Sequence, residues 1–199
     1  TTGTPICIII PNSDTKSKDY EATRFLARPS HADFTANCKY HGFEDYRGGG
    51  HFSGRITAAL VAVGGILIPA LENEGIKIGT HIKRCGNVSD RDFADLAEDI
   101  ENLNNTDFAV LDGDAEFKMT EEIMNARKNG DSVGGILETA VIGLPCGVGE
   151  PWFDTAESLL SHALFSIPAV KGVEFGAGFG FGSMNGSFAN DSFRINNGK

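Results

Sequence analysis

The chain has 199 residues, with 17 lysines and arginines against 27 aspartates and glutamates, so its formal net charge is −10. An acidic protein repels a phosphate backbone at long range, which disfavours general nucleic-acid binding. The longest apolar run, residues 58–71, contains two glycines and a proline and is shorter than the roughly 20 residues of a membrane helix. We therefore expect neither a nucleic-acid nor a membrane partner.

The first half of the chain contains two predicted elements around an irregular segment. Residues 6–10 form a short apolar run with β-branched side chains, which predicts a buried strand. Residues 20–55 have little periodicity and contain three consecutive glycines, Gly48 to Gly50. A long irregular segment in a compact domain usually carries function. Residues 57–72 then predict a largely buried helix, with Gly75 as its stop signal.

The second half predicts alternating strands and helices. Residues 76–84 alternate apolar and polar side chains and predict a strand with His81 on its solvent face. Ser89, with Asp92 three residues later, predicts the capped start of a helix that continues to Leu103. The remaining predicted elements are a short helix over residues 120–127, a strand over 133–144, a helix capped by Asp154 and ended by Pro168, and a strand over 170–175. This order leaves a mixed α/β or α+β domain.

The four cysteines are widely spaced, without a C-x-x-C pair or clustered histidines that would complete a zinc site. We therefore expect reduced thiols, no bound metal and a cytoplasmic location.

Residues 24–55, which we call the basic island, carry a net charge of +2 while the rest of the chain carries −12. Arginine side chains suit carboxylate and phosphate groups, and glycines allow backbone N–H groups to approach the same oxygens. The basic island is therefore the candidate site for an anionic small molecule. The alternative is that its arginines are solvated loop charges and its glycines a mobile turn.

His31 is the candidate for proton transfer within the basic island. It follows Pro29 and lies two residues before Asp33, and imidazole titrates near neutral pH, as proton transfer beside a phosphate ester requires. The alternative is a purely structural loop histidine. His162 lies off the apolar stripe of its predicted helix, and we expect it to be solvated.

Seven short motifs, in this order along the chain, resemble the chorismate synthase family. They are residues 28–33 (RPSHAD), 39–40 (KY), 45–50 (DYRGGG), 53–57 (SGRIT), 147–151 (GVGEP), 161–163 (SHA) and 169–174 (AVKGVE). The resemblance covers residues 1–199, which it identifies as the central part of a single chorismate synthase-like domain. It implies an α+β fold with helices sandwiched between antiparallel β-sheets, incomplete because the family's N- and C-terminal segments are absent.

The resemblance also implies a reaction and its partners. The family converts 5-enolpyruvylshikimate-3-phosphate to chorismate by a 1,4-anti elimination of phosphate, the last step of the shikimate pathway for aromatic amino acid biosynthesis. The reaction has no net redox change but requires reduced FMN. The family assembles as a homotetramer.

Carried over by motif, the resemblance implies roles for individual residues. His31 and Ser53 would be catalytic, with His31 protonating or stabilising the reduced flavin. The substrate-binding residues would be Arg28, Arg47 and Arg55, and the flavin-contacting residues would be His51, Phe52, Ser53, Pro168 and Ala169. Two positions depart from the family: His51 stands where many members have arginine, and Pro168 replaces an amide side chain.

Other motifs of the family's active site fall outside residues 1–199. The family's Gly-Glu-Ser-His-Gly motif normally lies upstream, and its Arg-His-Asp-Pro, Asn-Gly-Gly and Lys-Pro-Thr-Ser segments lie downstream. The alternative to an active enzyme is therefore a non-catalytic folded fragment of it with an incomplete site.

Overall fold

The computed structural model describes residues 2–193, which form two compact units. The first unit comprises residues up to Ile9 together with Ala58–Cys146, and the second comprises Ile10–Thr57 together with the described residues from Gly147 onward. The described elements are α1 (Asp33–Tyr40), α2 (Thr57–Asn73), α3 (Leu96–Leu103), α4 (Gly113–Lys128), α5 (Ala156–Phe165), β1 (Lys77–Cys85), β2 (Val88–Ser89) and β3 (Gly135–Ile142). The expected single domain over residues 1–199 stays a prediction.

The first unit is built on a three-stranded sheet with the order β2-β1-β3. Both strand pairs are antiparallel, and the β1–β3 register is interrupted by an irregularity between Ile82 and Arg84. The strands predicted over residues 76–84 and 133–144 are thereby confirmed. Helices combined with an antiparallel sheet confirm the predicted α+β class.

Helix α3 packs directly on β1 because Gly79 has no side chain. A Cβ atom at Gly79 would lie only 2.8 Å from Cγ1 of Ile100 in α3. Ile100 is fully buried, so the helix gains its apolar anchor from this close approach. Helix α4 completes the core by burying Met119 and Ala115 against Cys85.

His81 is fully buried on the side of β1 that carries Gly79, so the predicted solvent position is wrong. Its Nδ1 lies 2.7 Å from Oδ2 of Asp90, and its Nε2 lies 2.8 Å from Oε2 of Glu138 in β3. An ionised carboxylate only accepts hydrogen bonds, so Nδ1 is the donor to Asp90. Both ring nitrogens of the buried imidazole therefore have hydrogen-bond partners, and the alternation of polar residues along the strand does not reveal these partners.

Asp90 also organises the loop that precedes α4. Its carboxylate accepts hydrogen bonds from the backbone N–H groups of Leu111 at 2.7 Å and Asp112 at 3.0 Å. Burial alone would raise the pKa of Asp90, but the N–H of Leu111 and the ring of His81 outweigh burial and hold this pKa below its usual value. Asp90 is therefore the ionised partner of His81.

Helix α3 begins at Leu96, seven residues after the Ser89 cap predicted from the sequence, so that boundary is wrong. Ser89 is paired with Arg84 in the β1–β2 ladder, which makes it unavailable as a helix cap. Asp95 caps the helix instead, because its side chain accepts hydrogen bonds from the N–H groups of Ala97 and Glu98.

An ion pair at the start of α3 makes part of the stability depend on pH. Arg91 contacts Asp99 at 2.6 Å and, with the N–H of Ala94, lowers the pKa of Asp99 to about 2. An unfolded aspartate titrates near about 3.9, so the stabilisation is complete above roughly pH 5 and is lost as the pH falls toward about 2. We expect Asp99→Asn to lower the free energy of unfolding at neutral pH by about 1–3 kcal/mol.

Urea unfolding between pH 3 and 7 tests this expectation. The Asp99→Asn protein should lose less stability on acidification than the unmodified protein does. Asp107→Asn, which alters an exposed carboxylate of the same unit, is the control. Equal acid sensitivity in the Asp99 variant and the unmodified protein would contradict the assignment.

Helix α2 forms where the sequence predicts a helix, but none of its residues is buried, so the prediction of burial is wrong. No other helix or strand among the described residues packs extensively on it. The helical segment Gly54–Asn73 has 20 residues and a mean hydropathy of 1.8, which by length and composition is enough to cross a membrane. Core helices of soluble proteins have the same length and composition.

Two short predicted strands do not form. Residues 6–10 lie outside any helix or strand, and Ile6 and Ile9 are largely exposed. Residues 170–175 are likewise irregular. A strand needs a neighbouring strand to satisfy its backbone groups, and neither segment is paired with one among residues 2–193.

The second unit is assembled from two helices and several 3₁₀ turns. Helix α5 is capped by Thr155, whose hydroxyl accepts a hydrogen bond from the N–H of Ser158, one residue after the predicted cap at Asp154. Helix α1 begins at Asp33, the last residue of the RPSHAD motif. The glycine triplet Gly48–Gly50 lies inside a 3₁₀ segment that spans Arg47–Phe52.

Candidate active site

Asp33 joins two of the predicted site residues into one cluster. Its Oδ2 lies 2.8 Å from Nε of Arg28, and its Oδ1 lies 2.7 Å from Nδ1 of His31. Ser30 adopts a left-handed conformation with φ of 60°, which turns the chain within the motif between Arg28 and His31. The hydrogen bond from Arg28 is the main reason that the pKa of Asp33 lies well below its usual range.

The glycine triplet lies against the ring of His31. All three glycines have positive φ, with values of 60°, 85° and 51°, a region that side chains disfavour. A Cβ atom at Gly49 would lie 2.8 Å from Nε2 of His31 and 3.5 Å from Nη2 of Arg28. Backbone of the DYRGGG motif therefore covers the RPSHAD motif at its histidine, so the two motifs form one site.

We expect Gly49→Ala to displace the triplet from His31. The new methyl group would clash with the imidazole, and the alanine would have to keep the backbone φ of 85° that side chains disfavour. We therefore expect a loss of about 1–3 kcal/mol in the free energy of unfolding. Urea unfolding measures the loss, and the ring signals of His31 in NMR spectra report the displacement.

Gly54→Ala is the matched control for this substitution. Gly54 belongs to the same unit, has no positive φ, and no atom lies within 4 Å of the position that the new methyl group would take. We expect stability and the His31 signals to stay close to those of the unmodified protein. Equal effects of the two substitutions would contradict the close approach of Gly49 to His31.

The other two predicted substrate-binding arginines hold the loop that carries the triplet. Arg55 donates a hydrogen bond from Nη1 to the carbonyl of Gly48 at 2.9 Å. Arg47 contacts Asp45 at 2.8 Å and thereby lowers the pKa of that carboxyl. The side-chain oxygen of Ser53 accepts a hydrogen bond from the backbone N–H of Arg55 at 3.4 Å. Substrate contact by Arg47 and Arg55 and catalysis by Ser53 stay predictions.

A cavity of about 330 Å³ lies beside the cluster. Its lining includes Arg28, Asp33, Gly49 and Phe52. Arg24 of the basic island, which is not among the predicted site residues, also lines it. The guanidinium of Arg24 lies 5.0 Å from the centre of the Tyr46 ring, a cation–π arrangement that holds the charge at the cavity. The wall thus combines cationic and aromatic groups.

Glu44 adds an acidic group to the same wall. Its Oε1 accepts a hydrogen bond from Asn37, whereas its Oε2 is buried and has no hydrogen-bond partner among the described residues. Apart from their place in the basic island, nothing in the sequence predicts that Glu44 and Arg24 line the cavity. An irregular loop has no periodicity from which the direction of a side chain could be predicted.

The predicted flavin-contacting residues fall in two separate segments of the second unit. His51 is exposed, and Phe52 and Ser53 follow it at the end of the 3₁₀ segment. Pro168 and Ala169 follow α5, and Ala169 has a φ of 71°. No side-chain hydrogen bond or ion pair between described residues joins this second segment to the Arg28–His31 cluster. Their contacts with a flavin stay predictions.

The fold and this cluster define a class of protein: an α+β protein with a cationic loop site that can hold an anion and present a histidine beside it. A family model described as chorismate synthase matches residues 1–199. The chain belongs to the chorismate synthase family.

Relatives and a solved structure agree with this membership. The chain is 47% identical over 199 residues to chorismate synthase of Thermococcus kodakarensis and 46% identical over 196 residues to that of Dehalococcoides mccartyi. These alignments cover 100% and 98% of this chain but 55% and 53% of the relatives. A crystal structure of chorismate synthase matches with a TM-score of 0.68 and 28% identity, over 78% of this chain and 50% of that one. The chain therefore spans about half the length of its relatives.

Proposed function

We propose that this chain provides part of a chorismate synthase active site. The reaction is the 1,4-anti elimination of phosphate from 5-enolpyruvylshikimate-3-phosphate, in which a ring C–H bond and the C–O bond to phosphate break and chorismate forms. The observation that carries the proposal is the cluster of Arg28, His31 and Asp33 under the glycine triplet, in a chain that matches the family throughout.

The residues of the cluster suit an anionic substrate. Arg28 lines the cavity with its guanidinium already oriented by Asp33, so little side-chain entropy remains to be lost when an anion binds. Arg24 adds a second positive charge on the same wall. Two oriented guanidinium groups can neutralise a phosphate or carboxylate that would otherwise be costly to remove from water.

His31 is the residue that we propose for proton transfer. Its side chain is about one quarter exposed, so it can exchange protons with a bound ligand or with water. Asp33 holds its Nδ1, which leaves Nε2 as the nitrogen that gains or releases a proton. Ser53 and Arg55 support the loop opposite this nitrogen.

The residues beside the cavity fit a reduced FMN cofactor in their chemistry. Phe52 offers an aromatic face, and Arg24 and Arg28 offer positive charge toward an anionic ring system and its phosphate. We propose that His51, Phe52 and Ser53 hold the flavin, with Pro168 and Ala169 contributing backbone or van der Waals contact. When bound, reduced FMN supplies electron density that helps the phosphate to leave.

An anaerobic assay tests the proposed reaction. The chain is incubated with 5-enolpyruvylshikimate-3-phosphate and excess reduced FMN, and chorismate is quantified by chromatography. We expect chorismate to form, and we expect reduced FMN to be required. A folded chain that neither forms product nor binds the substrate in a calorimetric titration would contradict the proposal.

The length of the chain favours a second candidate, a folded segment that binds ligand without turnover. It spans 55% of the Thermococcus relative, and the family's remaining motifs lie outside it. This candidate predicts saturable binding of the substrate in the titration but no chorismate in the assay. Formation of chorismate by the chain would contradict it.

We also propose a homotetramer located in the cytoplasm. Two features support association. Apolar side chains on β3 are exposed, with Leu137 68% and Val141 44% accessible, and helix α2 has no buried residue. Free cysteines, three of them exposed, suit a reducing compartment. Light scattering coupled to size-exclusion chromatography measures the assembly, and a monomer at micromolar concentration would contradict it.

A further inference from the structure

Asp33, which was not among the site residues predicted from the sequence, contacts both Arg28 and His31 of the candidate site. Besides the contacts with Nε of Arg28 and Nδ1 of His31, its Oδ1 lies 2.8 Å from Nη2 of Arg28. Its Oδ2 accepts a fourth hydrogen bond, from the backbone N–H of Arg28 at 3.0 Å. Its side chain is only 22% exposed. One carboxylate thus holds the guanidinium and the imidazole in a fixed relation.

The charge of Asp33 is held in place by two features of the fold. Arg28 donates two side-chain hydrogen bonds to the carboxylate in a bidentate arrangement, which is the strongest form of this pair. Asp33 is also the first residue of α1, where the helix dipole favours a negative charge. The carboxylate is therefore an acceptor at neutral pH, and it cannot donate to His31.

An acceptor at Nδ1 determines which nitrogen of neutral His31 carries the proton. Nη2 of Arg28, which can only donate, lies 3.2 Å from Nδ1 and 3.5 Å from Nε2. The shorter contact, at 2.7 Å, is the one between Nδ1 and Asp33. A proton on Nδ1 satisfies Asp33 and leaves Nε2, the nitrogen beside Gly49, as the basic atom.

We propose that Asp33 is a positioning residue that keeps His31 in the Nδ1–H tautomer and holds Arg28 toward the cavity, so that Nε2 is the nitrogen that exchanges a proton at the site. This inference deepens the proposed function and rests on it for its consequence in catalysis. The orientation of the two side chains rests on the contacts alone.

The test combines a spectroscopic measurement with kinetics. In the unmodified chain, ¹⁵N-detected NMR of the histidine rings above neutral pH should give His31 the signature of an Nδ1–H tautomer. In Asp33→Asn, which can offer a donor to Nδ1, we expect this signature to shift toward the Nε2–H form. We expect kcat for chorismate formation to fall about 10–100-fold, the pH profile to shift, and Asp33→Glu to restore part of the activity.

Asp14→Asn is the matched control, because it removes an exposed aspartate of the same unit whose ion pair with Lys16 is 3.6 Å long. It should change neither the His31 signals nor the kinetics. An Nε2–H tautomer in the unmodified chain, or an unchanged His31 tautomer in Asp33→Asn, would overturn the inference. The first of these measurements needs no variant, so a misfolded Asp33 variant would not prevent the test.

The two proposals fail in different ways. If the chain neither forms chorismate nor binds the substrate, but His31 shows the Nδ1–H tautomer and loses it in Asp33→Asn, the proposed function is contradicted while the positioning by Asp33 is supported. If the chain forms chorismate and the His31 tautomer does not change in Asp33→Asn, the proposed function is supported while the positioning by Asp33 is contradicted.

Discussion

Replacing His81 with leucine is expected to lower the free energy of unfolding by about 3–5 kcal/mol. His81 is fully buried between Asp90 and Glu138, and the side chain of Asp90 is itself inaccessible. Leucine fills a similar volume but removes the side-chain donor of the buried Asp90 carboxylate. The cost is therefore mainly that of an uncompensated buried charge and not that of a cavity.

Two further variants separate these causes in urea unfolding. His81→Asn retains a donor near the position of Nδ1 and should cost less than His81→Leu, because Asp90 keeps a side-chain donor in addition to its backbone N–H partners. His162→Leu, which alters an exposed histidine of α5, should change stability by no more than about 0.5 kcal/mol. A loss below about 1 kcal/mol in His81→Leu would show that the buried cluster contributes no net stability, contrary to this expectation.

Replacing His31 with alanine is expected to lower kcat for chorismate formation by about 10²–10⁴, the range typical of a lost acid–base group. The reason is that Nδ1 is committed to Asp33, which leaves Nε2, beside the glycine triplet, as the basic nitrogen. No other histidine contacts Arg28 or Asp33 among the described side chains, so no neighbour replaces its proton transfer.

His31→Asn distinguishes a chemical role from a structural one. The asparagine amide can donate to Asp33 from near the position of Nδ1 but cannot titrate. If His31 transfers a proton, the asparagine variant should be as slow as the alanine variant. Full activity in His31→Asn would contradict proton transfer and leave only a structural role. His162→Ala is the control and should turn over normally.

The sequence predicts most of the candidate site because its motifs are short and local. Arg28 and Asp33 lie five residues apart, and a single turn through Ser30 brings both to His31. The approach of Gly49 to His31 is harder to predict, since it depends on three successive positive φ angles. The charge of the basic island points to this region as a candidate site, but it cannot indicate that Arg55 and Arg47 hold the loop itself.

The burial and the boundaries of the helices and strands are predicted less well than the site, because tertiary contacts outweigh the local sequence pattern. Strand alternation placed His81 in solvent, because it treats every polar residue as exposed and cannot recognise partners as distant in sequence as Glu138. The Ser89 cap failed for a related reason: its backbone is committed to the hairpin with β1. Helix α2 is rich in alanine and aliphatic residues and α5 carries an apolar stripe, so the existence of both helices is predictable from the sequence, whereas the exposure of α2 is not.

The pairing of β1 with β3 has a consequence for how the first unit folds. Cys85 is paired with Gly135, about 50 residues later, and helices α3 and α4 occupy the interval. Closing so long a loop costs entropy before any contact repays it, which slows folding. The β1–β2 hairpin and the two helices can form from local contacts, whereas β3 joins the sheet last. On a ribosome, this unit would therefore complete its sheet only after residue 142 has emerged.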